Sequence, residues 1–90
     1  MRYLLIIEKG DQALWGYFPD VPGCTTAGSS VEEIRANAQE ALAGFFEDGD
    51  PVPEARPLEA IVASGELALE GTETLTWVDY EQAVHQLATA

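Results

Sequence analysis

The sequence predicts an α+β domain with two layers and the order β-β-β-α-β. Three sequential strands form an antiparallel meander, one main helix packs on one sheet face, and a fourth strand joins an edge before a short C-terminal helix. Three observations predict this. Short aromatic and aliphatic runs broken by Gly and Pro fill the first third of the chain. A capped run with helical periodicity follows, and a late alternating run, "TETLTWV", comes after a proline-containing loop. Ninety residues with 47% hydrophobic content suit one domain, residues 1–90, at a size whose surface-to-volume ratio leaves some apolar area for a second subunit.

Tyr3 to Ile7 is apolar at every position, so both faces of this first strand are expected to be covered. "EKGDQ" turns the chain, with Gly10 expected at positive φ. In "ALWGYF", alternation puts Trp15 and Tyr17 on one face and Leu14 and Phe18 on the other. Pro19 and Pro22 cannot serve a strand interior, and Pro22-Gly23 suits the centre of a type II turn. "CTTA" reads as a short third strand that Gly28 ends.

Ser30 and Glu33 have capping-box spacing, and Ile34, Ala38, Ala41, Leu42 and Phe45 recur as one helical stripe. The main helix is expected over about residues 30 to 47, with Gly49 and Pro51 ending it. "DGDPVPEARP" is a loop, and "LEAIVASGEL" a short helix closed by Gly65. In "TETLTWV", Leu75 and Trp77 share one face, and Thr74, Thr76 and Val78 the other. Asp79 can cap a final helix with Tyr80, Ala83, Val84 and Leu87 on one side. With a single main helix, the opposite sheet face should stay partly open, with Trp15 or Tyr17 as contact area for assembly into a homo-oligomer.

Charge narrows the function classes. Sixteen acidic residues against four basic ones give −12, a field that repels phosphate backbones and anionic membranes and favours basic partners. Only Arg2, Lys9, Arg35 and Arg56 exist to build a basic patch, so no direct nucleic-acid contact is expected. A single cysteine rules out an internal disulfide and a cysteine-type metal cluster. The apolar run in "MRYLLIIEKG" is too short for a leader or a membrane span, and a soluble cytoplasmic protein is expected.

No pattern for chemistry stands. "GCTTAGSS" has phosphate-loop glycine spacing, but Ser29 occupies the place of the essential lysine. Cys24 reads better as a small buried apolar residue than as a nucleophile, and His85 lies off its helix's apolar stripe. Glu47, Asp48 and Asp50 lack the spacing of a calcium loop. The reading therefore assigns no catalytic residue, cofactor or metal.

The stretch "YFPDVPGCTTAGSSVEEIRANAQEAL", residues 17–42, followed by "DPVPEARP" and "LTWVD", resembles the HicB antitoxin family. The resemblance implies a partial RNase H-like fold without that fold's catalytic carboxylates. It also implies a partner: HicB proteins bind and occlude HicA toxins, small basic mRNA-cleaving proteins with a double-stranded-RNA-binding-like fold and a catalytic histidine. An acidic inhibitor meeting a basic ribonuclease is electrostatically sensible. Many family members add a C-terminal DNA-binding segment. Residues 79–90 carry no Lys or Arg, so DNA binding by this chain itself is not expected. The resulting expectation is a non-catalytic antitoxin, with Trp15, Tyr17, Asp20, Pro22 and Gly23 as candidate partner-binding residues. The alternative is a solitary homo-oligomeric regulatory or structural domain with no toxin; an enzyme built on Cys24 comes third.

Overall fold

The computed structural model describes residues 1–47, 52–67 and 69–80. Its elements are β1 (Arg2–Lys9), β2 (Leu14–Tyr17), β3 (Thr25–Gly28), α1 (Val31–Phe45), α2 (Leu58–Ala63) and β4 (Thr74–Asp79). They form a four-stranded antiparallel sheet in the order β3-β2-β1-β4. The meander and the edge position of the fourth strand are as the sequence reads. Residues 81–90, with His85, and residues 48–51, where Gly49 and Pro51 are expected to end the main helix, lie outside the described residues.

β1 is central because both its faces are apolar. Tyr3, Leu5 and Ile7 join Phe18, Val21, Cys24, Ile34, Ala38, Leu42, Phe46, Val78 and Tyr80 in the main core beneath α1. Leu4 and Ile6 point the other way and meet Ile61 of α2. This second contact covers part of the face expected to stay partly open. Ile61 is fully buried, and Tyr17, Leu67, Leu75 and Trp77 pack partly around it. One residue of a six-residue helix thus covers part of the far face, and Trp15 remains 57% exposed there.

Two local expectations are corrected. Gly10 is not at positive φ; among the described glycines that conformation belongs to Gly23, Gly65 and Gly71. What Gly10 supplies is space, because a Cβ there would lie 2.8 Å from Trp15 Cδ1 and 2.9 Å from the Ala13 carbonyl oxygen. The apolar stripe of α1 turns inward at Phe46 rather than Phe45. Steps of four from Ile34 through Ala38 and Leu42 lead to Phe46, which is 5% exposed, while Phe45 is 41% exposed. Asp79 is the last residue of β4, and the Tyr80 amide continues the ladder by donating to the Met1 carbonyl at 2.8 Å; the helix expected after it lies outside the described residues.

The start of α1 is a modified capping box. Ser30 Oγ accepts from the Glu33 amide at 3.1 Å, whereas the Glu33 carboxylate reaches back one residue further, to the amide (3.1 Å) and hydroxyl (3.0 Å) of Ser29.

Candidate partner-binding surface

The open surface is fixed by the strand register. Trp15 and Tyr17 pair with Glu8 and Ile6, and Ile6 and Leu4 pair with Leu75 and Trp77. Side chains on one pleat share a face, so Glu8, Trp15, Tyr17, Leu75 and Trp77 all lie opposite α1. The Tyr17 hydroxyl is pushed above its usual pKa by burial first, and then by the negative charges of Glu8 and Glu73. Those carboxylates therefore share the tyrosine's surroundings. An exposed indole, a half-buried phenol and two acids make this end of the face aromatic and negative.

The sheet edges are less available than the face. From α1, the Asn37 side-chain amide donates to the Ala27 carbonyl on β3 at 2.8 Å, and Arg35 Nη2 donates to the Trp77 carbonyl on β4 at 3.4 Å. One helix thus places a polar side chain on each outer strand, which blunts both for strand addition.

The other three candidates lie elsewhere and do different work. Asp20 is buried. Its carboxylate accepts from Arg56 Nε at 2.6 Å and from the Arg56 backbone amide at 2.8 Å, while Arg56 Nη2 contacts Glu66 at 2.6 Å. The Tyr3 hydroxyl donates to the Pro53 carbonyl. Asp20 and Tyr3 together tie down the chain between Val52 and Pro57 that leads into α2. Pro22 and Gly23 are exposed in the expected turn, with Gly23 at φ 89° and the Cys24 amide donating to the Val21 carbonyl at 3.1 Å. The glycine faces Phe45 of α1, with an added Cβ 3.7 Å from that ring, so this pair sits on the α1 side while Trp15 and Tyr17 sit on the other. Cys24 is buried in the main core, and burial pushes its thiol pKa up, which disfavours the thiolate a nucleophile requires. β3 occupies the middle of "GCTTAGSS", so the glycine-spaced segment is extended strand rather than a phosphate cradle.

A feature the sequence reading missed is a cleft of about 490 Å³ lined by Met1, Arg2, Arg56, Leu58, Glu59 and Trp77, among others. Arg2 lies 5.3 Å from the centroid of the Trp77 ring, and its Nε is 3.7 Å from Asp79 Oδ1. Seventy-five positions separate Arg2 from Trp77 in the chain, and only the β1–β4 register brings them together. Among the described residues, no group of three His, Cys, Asp or Glu side chains is placed to hold a metal ion. No helix among them is long and apolar enough to cross a membrane.

The family model for the HicB-like antitoxin of bacterial toxin–antitoxin systems matches residues 3–88. The chain belongs to the HicB-like antitoxin family. A chain of the solved HicA3–HicB3 toxin–antitoxin complex superposes with a TM-score of 0.72 at 32% identity, over 90% of this chain and 99% of that one. The crystal structure of antitoxin HicB3 gives the same score and identity over 92% of this chain and 64% of its own. An uncharacterized 14.9 kDa protein from the rep–hol intergenic region of Haemophilus phage HP1 is 36% identical over 66 residues, 69% of this chain and 50% of its own length. The chain spans about half the length of the curated relatives it matches. In this HicB-like domain, the motif that carried the resemblance builds the turn, the third strand and the helix cap. Its most exposed aromatic, Trp15, lies just before that motif.

Proposed function

We propose that this HicB-like antitoxin acts without catalysis, in the cytoplasm, by binding and neutralising a small basic HicA-type mRNA-cleaving toxin. The observation that carries the reading is the match to nearly the whole of a chain from a HicA3–HicB3 complex at 32% identity. Its acidity supports the choice of partner, since a −12 charge accelerates encounter with a cationic protein and disfavours RNA itself. The contact surface we assign is the sheet face bearing Trp15 and Tyr17. Asp20 supports that face indirectly by holding the segment that leads into α2, and Pro22 and Gly23 form a separate rim beside Phe45. Binding of the chain to a HicA-type protein encoded beside it tests the proposal: a stable complex that loses affinity as salt rises is expected. No complex between two folded proteins overturns it.

A second reading, a homo-oligomer with no toxin, is favoured by the exposure of Val62 (54%) and Leu58 (38%) on α2, next to the same face. Light scattering separates the two, because a stable oligomer of the chain alone belongs to the second.

A further inference from the structure

The sheet face opposite α1 carries two tryptophans in contrasting company. Trp77 sits toward the chain-start end of β1. The Arg2 guanidinium lies 5.3 Å from its ring centroid and 3.7 Å from the Asp79 carboxylate, so a cation is held between an indole and an acid. Trp15 sits at the other end and repeats the indole and the acid. It is 57% exposed, and its direct cross-strand partner is Glu8, which sheet geometry places with Cβ atoms about 5 Å apart. Glu73 adds a second negative charge nearby, since it acts with Glu8 on the adjacent Tyr17.

The chain's three arginines are committed elsewhere. Arg2 lies over Trp77, Arg35 reaches the Trp77 carbonyl, and Arg56 bridges Asp20 and Glu66. Lys9 follows Glu8 and alternates toward the α1 face opposite Leu14, although it also lines a cleft with Glu8, Glu70, Thr72 and Glu73. The Trp15 ring is also held in place: its Cδ1 and Nε1 lie within 2.9 Å of where a Cβ on Gly10 would stand, so the indole rests against the β1–β2 turn. A fixed, exposed aromatic plate beside a carboxylate suits a planar guanidinium, which can stack and ion-pair at once.

We propose that Trp15 and Glu8 form a seat for an arginine side chain of a basic protein partner, stacked on the indole and paired with the Glu8 carboxylate. The seat repeats on a partner's side chain what Arg2, Trp77 and Asp79 do within the fold. Glu73 deepens the local field without being the pairing acid, because its carboxylate already accepts from the amides of Glu70, Gly71 and Thr72 at 2.9–3.0 Å. The proposal rests on the antitoxin reading for the partner's identity, but its chemistry can be tested separately.

The probe is a short capped arginine–glycine peptide titrated into the ¹⁵N-labelled chain, followed by NMR of the two indole N–H signals, Trp15 and Trp77. Its control is the same peptide with citrulline in place of arginine. Saturable movement of the Trp15 signal with arginine only is expected, with Trp77 as the internal reference. Glu8→Gln should weaken this binding by about fivefold, the upper scale of an exposed ion pair. Glu40→Gln, an equal charge change on the exposed face of α1, should leave it within about twofold. Equal weakening by the two variants, equal movement of both indoles, or a response to citrulline overturns the seat. If a HicA-type toxin binds the wild type but Trp15→Ala and Glu8→Gln leave its affinity unchanged, the seat is wrong and the antitoxin reading stands. If the arginine peptide engages Trp15 and no toxin binds, the antitoxin reading fails alone.

Discussion

Asp20 shows how a residue in a recognition motif can serve the fold. It is the one charged side chain buried among the described residues, and an aspartate there is tolerable because Arg56 supplies both a guanidinium and a backbone amide. Asp20→Asn keeps the shape, but its side-chain nitrogen cannot accept, so one of the two hydrogen bonds is lost and the other loses its charge. A loss of about 2 kcal/mol of unfolding free energy is expected, the scale of a charge-assisted bond, and urea denaturation measures it. Gly28 is the complementary case of a residue required for its missing side chain. A Cβ there would come within 2.9 Å of the Ile34 amide nitrogen, which belongs to helix backbone and cannot rotate away. Gly28→Ala should cost about 1–3 kcal/mol and lower the thermal midpoint. Neither role was legible in the sequence. The partner of Asp20 lies 36 residues away, and Gly28 reads as a strand breaker although it is the last residue of β3.

At the scale of elements, the sequence was most informative where the signal is local. Capping by Ser30, the helical stripe of α1, the Pro22-Gly23 turn and the alternation of β4 follow from neighbours a few residues apart, and the structure contains all of them. The placement of α2 was not legible. "LEAIV" shows a helix but not which surface receives it, and its one fully buried side chain, Ile61, meets Leu4 and Ile6 from the far end of the chain. This gives a prediction for the element. Ile61→Ala should cost about 2–4 kcal/mol, as for other buried large-to-small changes, and should release α2 from the sheet. Hydrogen exchange checks the second part: amides of α2 should lose protection while those of β1 and α1 retain theirs at matched stability.

The whole molecule is governed by its excess of acid. Two carboxylates gain from the fold. Glu66 is held below the ordinary glutamate value of 4.5 by the Ser64 hydroxyl and then by Arg56, and Glu73 by the Glu70 amide and its neighbours. A pKa lowered by folding contributes stability that is complete above the ordinary value and is lost as pH falls through the lowered one. Thermal midpoints measured from pH 6 down to about pH 3 should therefore fall more steeply for the wild type than for a Glu66→Gln, Glu73→Gln variant. Relief of self-repulsion on acidification is smaller in the variant, which carries two fewer negative charges than the wild type's −12, and so works against the predicted difference rather than producing it. The same acidity disfavours contact with nucleic acid and favours a basic partner, and the 17–42 motif pointed to the family. The surface that would meet the partner was only half visible. Trp15 and Tyr17 can be placed on one face by alternation, but Glu8 and Glu73 join them only through the register of three strands.

The central claim, neutralisation of a basic ribonuclease, is tested most directly by mRNA cleavage with a purified HicA-type toxin encoded beside this chain, titrated with the chain itself. The account predicts that cleavage falls stoichiometrically and stops near equivalence, and that added salt weakens the inhibition. Unchanged cleavage in the presence of excess folded chain would contradict it.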